Sequence, residues 1–149
     1  MAGLVSNLVQ VHPYRVDGDE PEYLLLKRSA AELHGPGVWQ VVTGLIEPGE
    51  RSIETARRET IEETGLVPLE LVALPEVVSF YFEALDQIVL SPLFACRLPS
   101  GVDPRLSEEH VAFEWLRRSE ALERLVYPSH RDGLDRVDRS IAQDGSSSV

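Results

Sequence analysis

The sequence predicts a single α+β domain, and three observations carry that reading. Short runs of β-branched, aromatic and aliphatic residues recur on both sides of a polar middle segment. That segment, about 51–64, reads as a helix bounded by Pro48-Gly49 before it and Gly65 after it. Helical patterning returns near the end of the chain. Strands, helix, strands, helix is the order of an α+β or sandwich arrangement. A chain of 149 residues suits one domain with its own core. Residues 1–142 are expected to form it, with the small polar residues 143–149 as a disordered tail.

Leu4 to Val11 has apolar residues at 4, 5, 8, 9 and 11 and reads as a strand. Asp17-Gly18-Asp19 turns the chain into a second strand, Glu22 to Lys27. Ser29 to Gly37 is a loop, and Val38 to Val42 a short strand feeding Thr43-Gly44. Gly65 stops the helix because glycine accepts positive φ without a Cβ clash. Three strands follow, Leu69 to Leu74, Val77 to Phe82 and Gln87 to Leu98, the last two joined as a hairpin through Glu83 to Asp86. Pro75, Pro92 and Pro99 are expected at strand ends or edges. Val111 to Leu116 is another strand. Ser119 is the expected N-cap of a helix to about Val126. After Pro128-Ser129 a last helix, about Arg131 to Ala142, puts Leu134, Val137 and Ile141 on one face.

Composition narrows the function classes. No apolar run approaches the ~20 residues of a membrane span, and no basic-then-apolar leader opens the chain. Cys96 is the single cysteine, so no intrachain disulfide can form and a cytoplasmic home is expected. The net charge of −11 opposes binding to nucleic acid polymers, which rests on phosphate neutralisation by Lys and Arg. A small polyphosphate could still bind, provided metal ions neutralise both it and the carboxylates.

The chemistry concentrates in Glu59, Glu62 and Glu63. At 100° per residue these side chains fall within an arc of about 100° on one helix face. Like charges so spaced repel, costing roughly 0.2–0.5 kcal/mol per pair on an exposed helix. A solvated face tolerates that cost, whereas a hard divalent cation exploits it, since Mg²⁺ prefers carboxylate oxygens and takes substrate phosphates as further ligands.

The flanking residues favour the cation. Residues 44–66 fit Gly-x5-Glu-x7-Arg-Glu-U-x-Glu-Glu-x-Gly-U, with U a large aliphatic residue, through Gly44, Glu50, Arg58, Glu59, Glu62, Glu63 and Gly65. The segment therefore resembles the Nudix box. Thr60 departs from the pattern at the first U position, and slightly poorer packing is expected there. The resemblance implies a mixed sheet packed between helices, an α/β/α sandwich, and a Mg²⁺-dependent hydrolase (Mn²⁺ as substitute ion) cleaving a phosphoanhydride in a nucleoside diphosphate-linked compound. It implies Glu59 and Glu63 as chief metal ligands, Glu62 assisting, Glu50 binding metal directly or through water, and the Thr43 or Gly44 carbonyl as a further ligand. Arg58 would orient Glu59, although an i, i+4 surface pair with Glu54 or Glu62 is its plainer reading.

Relatives supply a further glutamate from a downstream loop, and Glu109 is the candidate, with Glu108 and Glu114 weaker choices. Arg28 ends a strand where relatives place an arginine against substrate phosphates. Trp39 could stack on a base or pterin ring or simply be core. The histidines are too scattered to suggest a metal site; His110, next to Glu109, is the one to watch.

The stretches 38–44 and 109–116 and the Ser129-x-Arg131 helix look like the dihydroneopterin triphosphate and dATP pyrophosphohydrolase group, which releases pyrophosphate and a monophosphate. Tyr81 instead falls where dinucleoside polyphosphate hydrolases often carry a tyrosine, although strand packing alone also explains an aromatic there. A nucleotide-sensing module without catalysis is the alternative of another class. Such modules usually lose box carboxylates, and this chain keeps Glu50, Glu59, Glu62 and Glu63. Many relatives form homodimers, so a second copy is a partner to test.

Overall fold

The computed structural model describes residues 1–29 and 37–147, with side chains as far as Asp144. Eight strands form one mixed sheet: β1 (Gly3–Val5), β2 (Leu8–Val16), β3 (Pro21–Arg28), β4 (Trp39–Gln40), β5 (Val42–Leu45), β6 (Glu70–Phe82), β7 (Gln87–Arg97) and β8 (His110–Leu116). Among the described residues there are three α-helices: α1 (Ser52–Thr64), α2 (Arg118–Arg124) and α3 (Pro128–Ser147). The expected loop at Ser29 to Gly37, with His34, lies outside the described residues except at its two ends.

The sheet runs β1-β7-β2-β3-β4, with β5 on β2, β6 on β7 and β8 on β3. β7 pairs in parallel with both β1 and β2; the remaining pairs are antiparallel. On its other edge β2 pairs first with β5, Leu8 opposite Leu45 through Val11 opposite Val42. It then pairs with β3, Tyr14 opposite Tyr23 through Val16 opposite Pro21. β5 and β3 therefore diverge from one strand, and both carry candidate site residues.

Side-chain alternation makes two apolar layers. Val9, Val11, Leu24, Leu26, Val42, Phe94 and Cys96 face α1 through Ala56. Tyr14, Tyr23, Leu25, Val41, Leu93 and Ala95 face α2 and α3 through Ala121, Leu134 and Val137. The architecture is thus helix, sheet, helix. Cys96 is fully buried, and that burial pushes its thiol up to about 12, so it is chemically quiet.

Several boundaries differ from expectation for local reasons. The first strand is two, β1 and β2, because Gly3–Val5 pairs with β7 alone. The stretches either side of Pro75 form one strand, β6, whose register shifts between Ala73 and Val77 and so absorbs the proline. Pro92 sits inside β7, not at an end, between the part paired with β1 and the part paired with β2, where a missing N–H costs least. Ser119 is not an N-cap: α2 starts one residue earlier, with Arg117 at the cap and no side-chain capping bond. Pro128 opens α3 instead of preceding it, as suits a residue that lacks an N–H. α3 also runs past Ala142 to Ser147. Thr60 is fully buried, and its hydroxyl donates to the Ala56 carbonyl at 2.8 Å, so the polar group is satisfied within its own helix.

Candidate active site

α1 is locked at both ends. The Arg51 N–H donates to the Glu54 carboxylate at 2.8 Å. Gly65, at φ 68°, returns its N–H to the Ile61 carbonyl at 2.8 Å. Between these ends the helix aims Glu59, Glu62 and Glu63 at a cleft of about 300 Å³, whose other wall is Ser107, Glu108 and Glu109.

Arg58 organises the helix side of this cleft. Its Nε and Nη2 donate to the two Glu50 oxygens at 2.8 and 3.0 Å. Nη1 donates to Glu59 at 2.8 Å and lies 3.4 Å from Glu62, while Nη2 also reaches the Leu45 carbonyl at 3.1 Å. Glu50 further accepts from the Thr55 hydroxyl at 2.6 Å and the Glu47 N–H at 3.1 Å. The Arg58 guanidinium and these hydrogen bonds hold Glu50 down at about 2. Glu50 is thus placed beside the cleft as the partner of Arg58 and is absent from the cleft lining.

Gly44 supplies the room. A Cβ at this position on β5 would fall within the space held by Cγ and Cδ of Glu59. Glu59 is half-buried, and burial raises its pKa, with Glu62 and Glu109 adding to the rise and Arg58 opposing it.

Glu63 lies deepest, 5% exposed, and its Oε2 has no hydrogen-bond partner. Burial, then the negative charges of Glu59 and Glu109, push it up to about 9. One atom each of Glu63, Glu109 and His110 lie within 4.8 Å of one another. A buried, unpartnered carboxylate oxygen among further carboxylates calls for a positive partner, and a set in which carboxylate oxygens outnumber the one imidazole suits a hard divalent cation. The residues present therefore fit a Mg²⁺-type ion, with Glu59, Glu62, Glu63 and Glu109 as the donors in reach.

Other candidates lie apart from the cleft lining. Arg28 ends β3, and its Nε donates to Gln40 at 2.9 Å. Trp39 is half-buried against the α2/α3 core, with the Arg124 guanidinium 5.4 Å from its ring centroid. Tyr81 is exposed on β6, its hydroxyl donating to Asp86 at 2.8 Å. Thr43 faces Gln10 across the β2–β5 pair. Glu114 pairs with Arg124 at 3.0 Å. Sequence reasoning missed Gln40, which is buried and bonded to His110 Nε2 at 2.8 Å. Its place in an apolar pentapeptide hid it, for nothing in Val38 to Val42 distinguishes a buried amide with a task from a strand residue.

Comparison with known proteins decides the family. The NUDIX domain profile matches residues 9–137. The chain belongs to the NUDIX family. The matched domain and its hydrolase relatives place it among Nudix hydrolases, which act on phosphorus-containing anhydrides. It is 38% identical over 121 residues to an octanoyltransferase of Myxococcus xanthus, a match covering 80% of this chain and 33% of that one. This chain therefore spans about a third of that relative's length. It is 34% identical over 110 residues to the asymmetrical bis(5'-nucleosyl)-tetraphosphatase of Rattus norvegicus, covering 72% of this chain and 71% of that one. Among solved structures, the E. coli dihydroneopterin triphosphate pyrophosphohydrolase superposes with a TM-score of 0.72 at 25% identity, covering 91% and 99% of the two chains.

Proposed function

We propose that this Nudix hydrolase cleaves a phosphoanhydride of a small nucleoside polyphosphate with the help of Mg²⁺. The observation that carries the reading is the cleft itself, in which Glu59, Glu62 and Glu63 of one helix face Glu109 across a short gap, with Glu63 buried and its Oε2 unpartnered among the described residues. When bound, the ion supplies neutralisation of the substrate's phosphate oxygens and polarises the phosphorus for attack. The chain's own residues position and hold. Arg58 fixes Glu59 by a charge-assisted bond while anchoring itself on Glu50 and the Leu45 carbonyl. Glu109 accepts the proton of the attacking water at its carboxylate. Glu62 and Glu108, on opposite rims, set the negative field that excludes an anion arriving without a cation.

The rat relative favours a dinucleoside tetraphosphate, split asymmetrically, as the substrate. Tyr81 joins this choice through the resemblance alone, since Phe80 and Phe82 beside it on β6 are exposed as it is. A second reading, release of pyrophosphate and a monophosphate from a nucleoside triphosphate, is favoured by the superposition on the dihydroneopterin triphosphate enzyme.

A panel of dinucleoside polyphosphates, nucleoside triphosphates and ADP-ribose, assayed for products with Mg²⁺ or with EDTA, separates the readings. Mono- and trinucleotide products from the tetraphosphate, lost in EDTA, are expected. No consumption of any compound in Mg²⁺ or Mn²⁺ would leave a sensing module as the better account.

A further inference from the structure

Behind the cleft, half-buried Arg28 and the buried Gln40 and His110 form a chain whose direction can be read from donor chemistry alone. The Arg28 guanidinium has donors and no acceptor, and its Nε lies 2.9 Å from Gln40 Oε1. That contact fixes the amide: turned over, it would set two donors against each other. Gln40 Nε2 is therefore the atom facing His110 Nε2, at 2.8 Å. An amide nitrogen can only donate, so His110 Nε2 must accept. A neutral imidazole that accepts at Nε2 carries its proton on Nδ1.

Among the described residues neither the buried His110 Nδ1 nor the buried Glu63 Oε2 has a hydrogen-bond partner, and both residues belong to the cluster with Glu109. We infer that Gln40 is a positioning residue for the reaction: it imposes the Nδ1–H tautomer on His110, so that the ring offers the cluster it shares with Glu63 and Glu109 a donor and not a metal-ligating lone pair. The opposite tautomer would offer that lone pair, and the cluster would become a mixed nitrogen and oxygen site suited to softer ions. The device thus keeps the cation site all-oxygen and offers its deepest carboxylate a donor from behind, the role that outer partners of ligands play. Arg28, which ends β3, is the fixed point from which the chain of donors starts.

The catalytic part of this inference rests on the hydrolase reading; the tautomer does not, and the test keeps them apart. Long-range ¹H–¹⁵N correlation spectra of the metal-free protein near neutral pH report which ring nitrogen of each of the four histidines is protonated. His110→Asn identifies the resonance by its loss. Protonation at Nδ1 is expected, and protonation at Nε2 or at both nitrogens would overturn the inference. Gln40→Glu offers acceptors to both neighbours, so the proton should move to Nε2; an unchanged tautomer would overturn Gln40 as its cause. Should Gln40→Glu fail to fold, Gln40→Met removes both bonds and is expected to leave a mixture of tautomers. On diadenosine tetraphosphate, Gln40→Glu is expected to lose about tenfold in kcat with KM within about threefold. His110→Asn, whose amide can donate from the Nδ1 position, should retain about tenfold more activity than His110→Ala. Equal activity of the two would defeat the donor role even where the tautomer stands. No turnover by the wild type with the Nδ1–H tautomer intact would count against the substrate reading alone.

Discussion

Gly44 lies flat against the Glu59 side chain, so that even a methyl group at residue 44 would share space with Cγ and Cδ of the glutamate. The atoms in the way belong to a side chain that can swing, so backbone strain is small. The carboxylate, however, would leave Arg58 Nη1, its partner at 2.8 Å. Gly44→Ala is therefore expected to lower kcat by about 10²-fold while shifting Tm by only a few degrees. Steady-state kinetics beside thermal melts check this, and a large drop in Tm would mean that the glycine serves folding instead.

Much of this site was legible because it lies in one continuous segment. Spacing along a helix places Glu59, Glu62 and Glu63 together, and Gly65 marks the helix end, without knowledge of the rest. What faces that helix was harder to see. Glu109 reaches Glu63 across many intervening residues, and only resemblance singled it out from Glu108 and Glu114. The parallel pairing of β7 with both β1 and β2 left no trace in periodicity, which reports strands and not their neighbours. Gln40 left none either, since its role exists only through Arg28 and His110.

Arg58 spreads one planar fork over Glu50, Glu59 and the Leu45 carbonyl. A lysine carries the same charge but cannot meet three directions at once. Arg58→Lys is expected to lose at least about tenfold in kcat, against a smaller change in KM, because the group acts on carboxylate placement. Activity within twofold of wild type would show that charge alone suffices.

Glu63 makes stability and metal binding depend on pH in a defined sense. Its folded-state pKa, about 9, lies above the ordinary carboxylate value, so between about 4.5 and 9 the native metal-free protein holds a proton that the unfolded chain releases. The stability from this group is fully present below the ordinary value and is lost as pH rises toward 9. Without metal, Tm should fall over that window more steeply in wild type than in Glu63→Gln. Added Mg²⁺ should raise Tm most at the alkaline end, where the carboxylate is free to bind. Identical pH slopes for the two proteins would contradict the burial argument.

Glu108 and Glu109 both line the cleft, yet only Glu109 shares the cluster with Glu63 and His110. Glu109→Ala is expected to cost about 10²-fold or more in kcat, and Glu108→Ala less than about fivefold. Matched small losses would remove Glu109 from the reaction.

Gly133 is the helical residue at which propensity and packing disagree. On propensity alone, replacing a mid-helix glycine by alanine stabilises by about 1 kcal/mol. In α3, however, a Cβ at this position would overlap Gln10 Oε1 and press on His12 Nε2 and Leu93 Cδ1 of the sheet beneath. Gln10 and His12 cannot easily yield, since both are buried and joined to each other at 2.7 Å, and burial holds His12 neutral with a pKa of about 3. Forcing a methyl group into such a contact costs roughly 1–3 kcal/mol and separates α3 from β2. The clash should outweigh the propensity gain, so Gly133→Ala is expected to lower Tm by several degrees, with kcat nearly unchanged because the site lies on the α1 side of the sheet. A rise in Tm would mean that α3 rides higher on the sheet than its contacts with Gln10 and His12 indicate.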